Sequence, residues 1–592
     1  MSKNKRFVRF LIWRAKKLPD KSFVLILSVL IGLVAGIAAA LLKITVISIE
    51  DWLISLFTES DDIYLYLVTP LIGIFLTVIF LKYIIRDNVG HGVPRILYVI
   101  SKLDASMRYH KVFSSLVGGA LTAGFGGSVG LESPIISTGA SLGSFTGQFL
   151  RLGYKHKTLL IGCGAAGAMA SIFTTPIAAV IFSFEVLLLD LSAASLIPLL
   201  LASVTGAVTT KLLTAERFLV HFKVTEEFIV QDIPFFIILG VVGGFVSVYF
   251  HYMHFTIIRL FGKINSIWVK LLIGGSLLGV VIYLFPPLFG EGYDSIRLLV
   301  AGQEQELLNH TIFAGSNLVW VFIAFTILLV GFKVIATTLT TEAGGVGGIF
   351  APAAVMGGFT GFVLARIINQ LFPTTGLHES NFTLVGMAAV LGGVLLAPLT
   401  AIFLIAEMAN GYELIVPLML STSIAFLIAK TFNKHSIFTQ KLAEQGDMYQ
   451  YRDKAVIKHL KIKNLLEKDV KTISINSTLG DMINVIKYSK RNMFVVVDAQ
   501  KTFIGMVLLD DVRQDMFDQE KYINPISQYL YSAMDDDKVS ITHDVQEIIN
   551  KFNRTGNYNM VVLDGNRYVG IVSKANVLKA YRENMIADID DQ

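Results

Sequence analysis

The residue with the most chemistry in the apolar part of the chain is Glu132, within Gly124-Phe-Gly-Gly-Ser-Val-Gly-Leu-Glu-Ser-Pro134. A carboxylate at the centre of a bilayer costs about 2.5–3.5 kcal/mol on insertion scales, and such groups are functional by default. Its compensation is written beside it. Three segments run from glycine into proline: Gly90-His-Gly-Val-Pro94, Gly130-Leu-Glu-Ser-Pro134 and Gly347-Gly-Ile-Phe-Ala-Pro352. Each spells a helix N-terminus. A helix N-terminus offers free N–H groups and a partial positive charge. Three aimed at one point make an anion site without a full positive charge. Dipoles also let an anion leave, which a conduit requires. A carboxylate in that place competes with the anion, and the competition makes Glu132 a gate.

Other chemistries find little support. A divalent-cation path needs several carboxylates at membrane depth, and here they are few and isolated. Glu342, before the second glycine run, reads as a capping or vestibule residue. No His-Glu-x-x-His occurs and no nucleophile–base pair stands out, so neither a metal site nor an enzyme is expected. The one cysteine, Cys163, reads as a small packed side chain.

The elements that must position these residues are membrane helices. Of 592 residues, 54% are apolar and 16% charged, against about 25% charged in soluble chains. Residues 451–592 hold 40 charges among 142; the preceding 450 hold only 55. Apolar segments recur at 23–48, 65–86, 157–189, 195–213, 233–259, 268–288, 315–339, 378–406 and 413–430, several of them longer than the roughly 20 residues of a span. The Gly-rich stretches 112–150 and 343–372 break helices where the surroundings are too apolar for solvent loops. Broken backbone at membrane depth is the mark of discontinuous transporter helices. One such stretch falls in each half, on either side of 214–232. The expected fold is an all-α polytopic membrane domain of two inverted repeats with broken helices.

Residues 1–22 carry eight cations, from Lys3 to Lys21, against Asp20 alone. The apolar run after them is too long for a signal peptide, and the cations place this end in the cytoplasm. The soluble part has no basic stripe interleaved with aromatics, so no nucleic-acid partner is expected.

Two similar units close the chain. Phe494-Val-Val-Val-Asp498 with Phe503-Ile-Gly-Met-Val507 repeats as Met560-Val-Val-Leu-Asp564 with Tyr568-Val-Gly-Ile-Val572. Gly505 and Gly570 stand 65 residues apart, and each unit reads as strand, turn, strand, helix. The pattern resembles a tandem pair of CBS domains, a soluble α+β module. That resemblance implies an adenine-nucleotide cleft whose acidic residue closes a Ser/Thr-x-x-Asp pattern. Here Leu508-Leu-Asp-Asp511 and Ser573-Lys-Ala-Asn576 are both incomplete, leaving Asp511, Ser573 and Asn576 as candidates. The expected division is 1–438 membrane domain, 439–462 linker, 463–520 and 524–592 the two CBS units. The linker follows Phe438 directly and is placed to pass a ligand signal to the pore.

The three glycine–proline motifs resemble those of the CLC family of chloride channels and proton-coupled chloride exchangers. Gly90, Gly92 and Pro94 match its first anion-site loop. Gly130, Leu131 and Pro134 frame its gating glutamate, although the family usually has Arg and Gly where Leu131 and Ser133 stand. Gly348 to Pro352 matches the loop whose amides, here those of Ile349 and Phe350, bind the central anion. Glu407-Met-Ala-Asn-Gly-Tyr-Glu-Leu-Ile-Val-Pro417 resembles another family stretch. The spacings of 41 residues from His91 to Glu132 and 88 from Phe350 to Phe438 fit as well. His91 and Phe438 stand where better-known members place Ser and Tyr hydroxyls on the anion. Val186 stands where the exchangers typically carry a second, proton-relaying Glu; Glu185 precedes it. Valine carries no proton, so the expected function is a passive chloride channel with a glutamate gate and regulation through the CBS pair. The alternative is a proton-coupled exchanger, since some exchangers manage without that Glu. The resemblance implies a homodimer with one pathway per subunit. The expected setting is a bacterial plasma membrane, with both termini cytoplasmic.

Overall fold

The computed structural model describes residues 14, 16–60, 64–86, 92–102, 105–189, 192–214, 222, 228–309, 311, 313, 318–444, 460, 462–467, 470–489, 491–531, 537–555 and 557–580. It divides into two units, Met1–Met448 and Tyr449–Gln592.

Among the described residues of the first unit, eight helices are long and apolar enough to cross a membrane. The chain opens with α1 (Asp20–Ser60), α2 (Leu65–Ile79), α3 (Gly92–Lys102) and α4 (Lys111–Gly124). Four helices follow: α5 (Glu132–Phe149), α6 (Tyr154–Phe173), α7 (Pro176–Glu185) and α8 (Ala193–Leu213). In the second half α9 (Ile233–Gly262), α10 (Ile267–Leu284), α11 (Tyr293–Val300) and α12 (Val319–Glu342) lead to α13 (Phe350–Leu371), α14 (Glu379–Leu395), α15 (Pro398–Met408) and α16 (Ile415–Phe432).

The run α5–α8 repeats as α13–α16. The apolar stretches 157–189 and 378–406, which read as single segments in sequence, are each two helices. Both breaks are built alike. A non-glycine residue in the left-handed region ends the first helix, Thr174 at φ 58° and Leu396 at φ 52°. Two residues later a proline starts the next, at Pro176 and Pro398. Proline cannot donate the bond that would continue the helix, and it suits a first turn. Within each half the first two helices touch backbone to backbone. A Cβ on Gly139 would lie 2.0 Å from the Gly164 carbonyl oxygen, and one on Gly357 would lie 2.2 Å from that of Gly386. Only glycine permits that approach, the small-residue packing usual between membrane helices.

The second unit holds two three-stranded sheets of one topology. In the first, β1 (Thr472–Ser474) pairs parallel with β2 (Met493–Val497), which pairs antiparallel with β3 (Phe503–Leu508). In the second, β4 (Lys538–Ser540), β5 (Asn559–Asp564) and β6 (Arg567–Ser573) do the same. Their register shifts fall at matching places, Val496/Val497 and Val562/Leu563. Leu460, Ile462 and Leu465 pack with Val539, Ile548, Phe552 and Val572 in the core of the second sheet. The expected linker 439–462 carries a short helix, Gln440–Glu444; 445–459 lie outside the described residues.

Candidate anion site

The two glycine loops meet each other. Gly130 N–H donates to the Gly348 carbonyl at 3.0 Å, and Gly348 N–H returns the bond to Gly130 at 2.8 Å. That exchange brings the N-terminus of α5, from one half, beside that of α13, from the other. Glu132 is the first residue of α5 and only 1% exposed. Its Oε1 accepts the Phe350 N–H at 2.8 Å. Among the described residues its buried Oε2 has no hydrogen-bond partner. Both glycines are required by closeness: a Cβ on Gly130 would lie 1.8 Å from Glu132 Oε2, and one on Gly348 2.0 Å from Oε1.

The third N-terminus arrives as well. Gly92, first in α3, is so near α5 that a Cβ there would lie 1.8 Å from Ser133 Oγ. Pro94 follows within α3, and Pro134 and Pro352 sit in the first turns of α5 and α13. Gly90 and His91 lie outside the described residues. Ile349 is the residue before α13 and is buried, as is Leu131 before α5. Phe438 is also buried, its ring stacked on that of Phe350 at 6.2 Å. Phe182 meets Phe350 edge-on at 5.8 Å. Amides, one carboxylate and an apolar wall therefore converge. The carboxylate oxygen occupies a donor that a small anion could take instead.

Val186 is buried at the end of α7, its N–H bonded to the Phe182 carbonyl at 2.9 Å. Its neighbour Glu185 is fully engaged elsewhere. Its carboxylate accepts Leu399 N–H (3.1 Å), Thr400 N–H (2.7 Å) and Thr400 Oγ1 (2.7 Å) at the start of α15. Glu342 ends α12, with an oxygen 3.9 Å from Lys270 Nζ. Cys163 is buried in α6.

Sequence reasoning passed over a second group of ions. Glu291 Oε1 accepts the Leu131 N–H at 2.9 Å. Lys333, fully buried, donates to Ser128 Oγ at 3.0 Å and to the Gly290 carbonyl at 3.3 Å. The signal was present: a lysine inside the apolar α12, and an acid between two glycines in Gly290-Glu-Gly292.

In the second unit Ser573 and Asn576 come together. Ser573 Oγ donates to Glu467 Oε1 at 2.5 Å and accepts the Asn576 N–H at 3.1 Å. Asn576 Nδ2 donates to the Leu465 carbonyl at 3.2 Å. Glu467 also pairs with Arg491. Asp511 is exposed on the short helix Leu509–Val512.

Residues 72–430 match the family model described as voltage gated chloride channel, and 462–518 and 529–583 each match the CBS domain. An H(+)/Cl(-) exchange transporter ClcA of Yersinia pestis is 26% identical over 460 residues, covering 74% of this chain and 91% of its own length. The chloride channel protein CLC-f of Arabidopsis thaliana is 23% identical over 566 residues, covering 84% and 70%. The crystal structure of a slow cyanobacterial Cl-/H+ antiporter superposes with a TM-score of 0.60 at 24% identity, covering 73% of this chain and all of that one.

Proposed function

For a chain that belongs to the voltage gated chloride channel family, we propose transport of chloride across a membrane in exchange for protons, with Glu132 as the gate. The observation that carries this reading is the bond from Phe350 N–H to Glu132 Oε1 at 2.8 Å. The carboxylate oxygen stands in for the anion at the start of α13. Ionised Glu132 holds the amide and repels chloride. Protonation weakens that hold, since hydrogen bonds to an ionised acceptor are roughly twice as strong as neutral ones. The freed amides of Ile349 and Phe350 then receive chloride. The ionised carboxylate excludes the anion and the protonated one admits it, so proton and anion are coupled at one place, which exchange requires.

Exchange is preferred to passive conduction because relatives such as that of Yersinia pestis are named as exchange transporters. Val186 favours the second reading, a passive channel. It supplies no proton carrier, and Glu185 beside it already accepts three bonds. The proposal includes a homodimer with one pathway per subunit, in a plasma membrane with cytoplasmic termini; the eight span-length helices support the membrane setting.

The test is the full chain in liposomes with a chloride gradient and a pH electrode. Chloride should drive protons uphill. Glu132→Gln should stop proton movement and leave chloride flux that no longer responds to pH. Chloride flux without uphill protons in the parent protein would make it a channel. A Glu132→Gln protein that keeps the parent's pH response would overturn the gate.

A further inference from the structure

The charges beside the gate have no part in the transport cycle just described. Glu291 lies in the turn before α11, between Gly290 at φ 61° and Gly292 at φ 94°. Those left-handed conformations favour glycine, and the turn they make carries the acid to the start of α5. There its Oε1 takes the N–H of Leu131, the residue next to Glu132. Lys333 reaches the same turn through the Gly290 carbonyl and the gate loop through Ser128 Oγ. Ser128 N–H is also held, by Thr340 Oγ1 at 3.2 Å.

We propose that Glu291 is a positioning residue for the gate: it fixes the start of α5 by holding the Leu131 N–H, and it sets a second negative charge beside Glu132. The inference rests on the reading of Glu132 as gate. A free Leu131 N–H at a helix N-terminus would be one more ligand for an anion. A fixed carboxylate occupies it and confines the competition between Glu132 and chloride to the donors of α13. The charge is not isolated. Lys43 from α1 and Lys333 from α12 oppose it, whereas Asp294 from α11 and Glu50 from α1 share its sign. Arg297 faces Lys43, and the Tyr293 hydroxyl feels both Glu291 and Glu132. Removing Glu291 takes from the buried Lys43 and Lys333 one opposite charge that both feel.

Two substitutions separate the two roles. Glu291→Gln keeps an oxygen for the Leu131 N–H and removes the charge. With one negative charge fewer beside it, Glu132 stays ionised to lower pH. The pH dependence of chloride efflux should therefore move to lower pH. Glu291→Ala removes charge and acceptor together. Its loosened gate should add a several-fold rise in efflux at alkaline pH to the same displacement. In a Glu132→Gln background, Glu291→Gln should change nothing in a pH profile already flat. A Glu291→Gln profile that superimposes on the parent, with Glu132→Gln still flat, would overturn the role of Glu291 and spare the gate. A Glu132→Gln profile that is not flat would instead overturn the gate reading itself. Should Glu291→Ala fail to fold, the isosteric Gln variant still decides the matter.

Discussion

Glu185 and Glu407 cap each other's helices. Glu185 ends α7 and accepts the N–H groups of Leu399 and Thr400 at the start of α15. Glu407, near the end of α15, accepts those of Ile177 (3.1 Å) and Ala178 (2.8 Å) at the start of α7. The end of each helix lies at the beginning of the other, so the two run antiparallel and the halves are related as an inverted pair. Each carboxylate sits on a helix N-terminus, where negative charge is stabilising, and satisfies amides left without a partner by the proline start.

This exchange predicts what Glu185 does and does not do. Glu185→Ala strands the part-buried amide and hydroxyl of Thr400 and the exposed amide of Leu399, at up to about 1–3 kcal/mol for a buried donor left unsatisfied. Thermal stability of the detergent-solubilised protein should fall, and Glu407→Ala should match it in direction. Glu185→Gln keeps one acceptor oxygen and should lose less. Because the carboxylate is committed to helix capping, Glu185→Gln should leave the proton-to-chloride ratio at its parent value. A collapse of that ratio with chloride flux intact would make Glu185 the proton carrier after all.

The gate has a second test that leaves its carboxylate in place. Gly348→Ala would put a Cβ 2.0 Å from Glu132 Oε1, and the carboxylate must swing away from the Phe350 N–H. Overpacking of this kind costs about 1–3 kcal/mol, or roughly five- to 150-fold in occupancy of the closed position. Chloride efflux at neutral pH should rise towards the level the parent shows in acid. An unchanged neutral-to-acid ratio would mean that Glu132 does not close the path from this position.

Much of this was legible in the residues, and the failures have physical causes. Glycine followed by proline is a local signal, so the helix starts at Gly92, Glu132 and Phe350 could be read directly. The Phe350–Phe438 stack joins residues 88 apart in sequence, and the resemblance alone pointed to it. Hydropathy could not divide 157–189 or 378–406, because Thr174-Thr-Pro176 and Leu396-Ala-Pro398 are too short to lower an apolar average. The acid in Gly290-Glu-Gly292 was legible as a signal, but its partner, a backbone amide 160 residues away, was not, because no side-chain pattern announces a backbone partner. Leu460 and Ile462 read as linker and Leu465 as part of the first CBS unit, because proximity along the chain does not show which core a segment joins; all three pack with the second sheet.

The first CBS unit offers a pH test outside the membrane. Thr478 caps the helix Leu479–Lys487 in a capping box: its Oγ1 accepts the Asp481 N–H, and Asp481 Oδ2 accepts the Thr478 N–H at 3.0 Å. That backbone bond, joined by one from the Thr478 hydroxyl, holds the Asp481 carboxyl below its ordinary value. A carboxyl depressed by folding contributes stability at pH values above its unfolded pKa of about 3.9, and the contribution is lost as pH falls through the folded value. Asp481→Asn should therefore lower the melting temperature of the CBS unit in the full chain at pH 7. The gap to the parent should close as the solution is taken below pH 4. A gap independent of pH would place the effect in packing, not in the charge.

The last prediction concerns the CBS cleft. The resemblance implies that an adenine nucleotide is held there by residues at Asp511, Ser573 and Asn576. The Ser573 hydroxyl is already spent on Glu467, Asn576 is bonded to Ser573 and to the Leu465 carbonyl, and Glu467 is paired with Arg491. A ribose reaching Ser573 or Asn576 would have to break a charge-assisted bond, stronger than the neutral ones it could form in return. It would also bring phosphates towards the carboxylate of Glu467. The full chain should therefore show no thermal stabilisation by ATP, ADP or AMP at millimolar concentration. Ligand at 100 times its Kd would contribute about 2.7 kcal/mol, so binding in the ten-micromolar range could not be overlooked. Glu467→Ala releases the Ser573 hydroxyl and removes the repelling charge, and stabilisation by nucleotide should appear in that variant if the cleft is otherwise complete. Stabilisation of the parent would show that the Glu467–Ser573 bond yields to ligand and is a latch, not a plug.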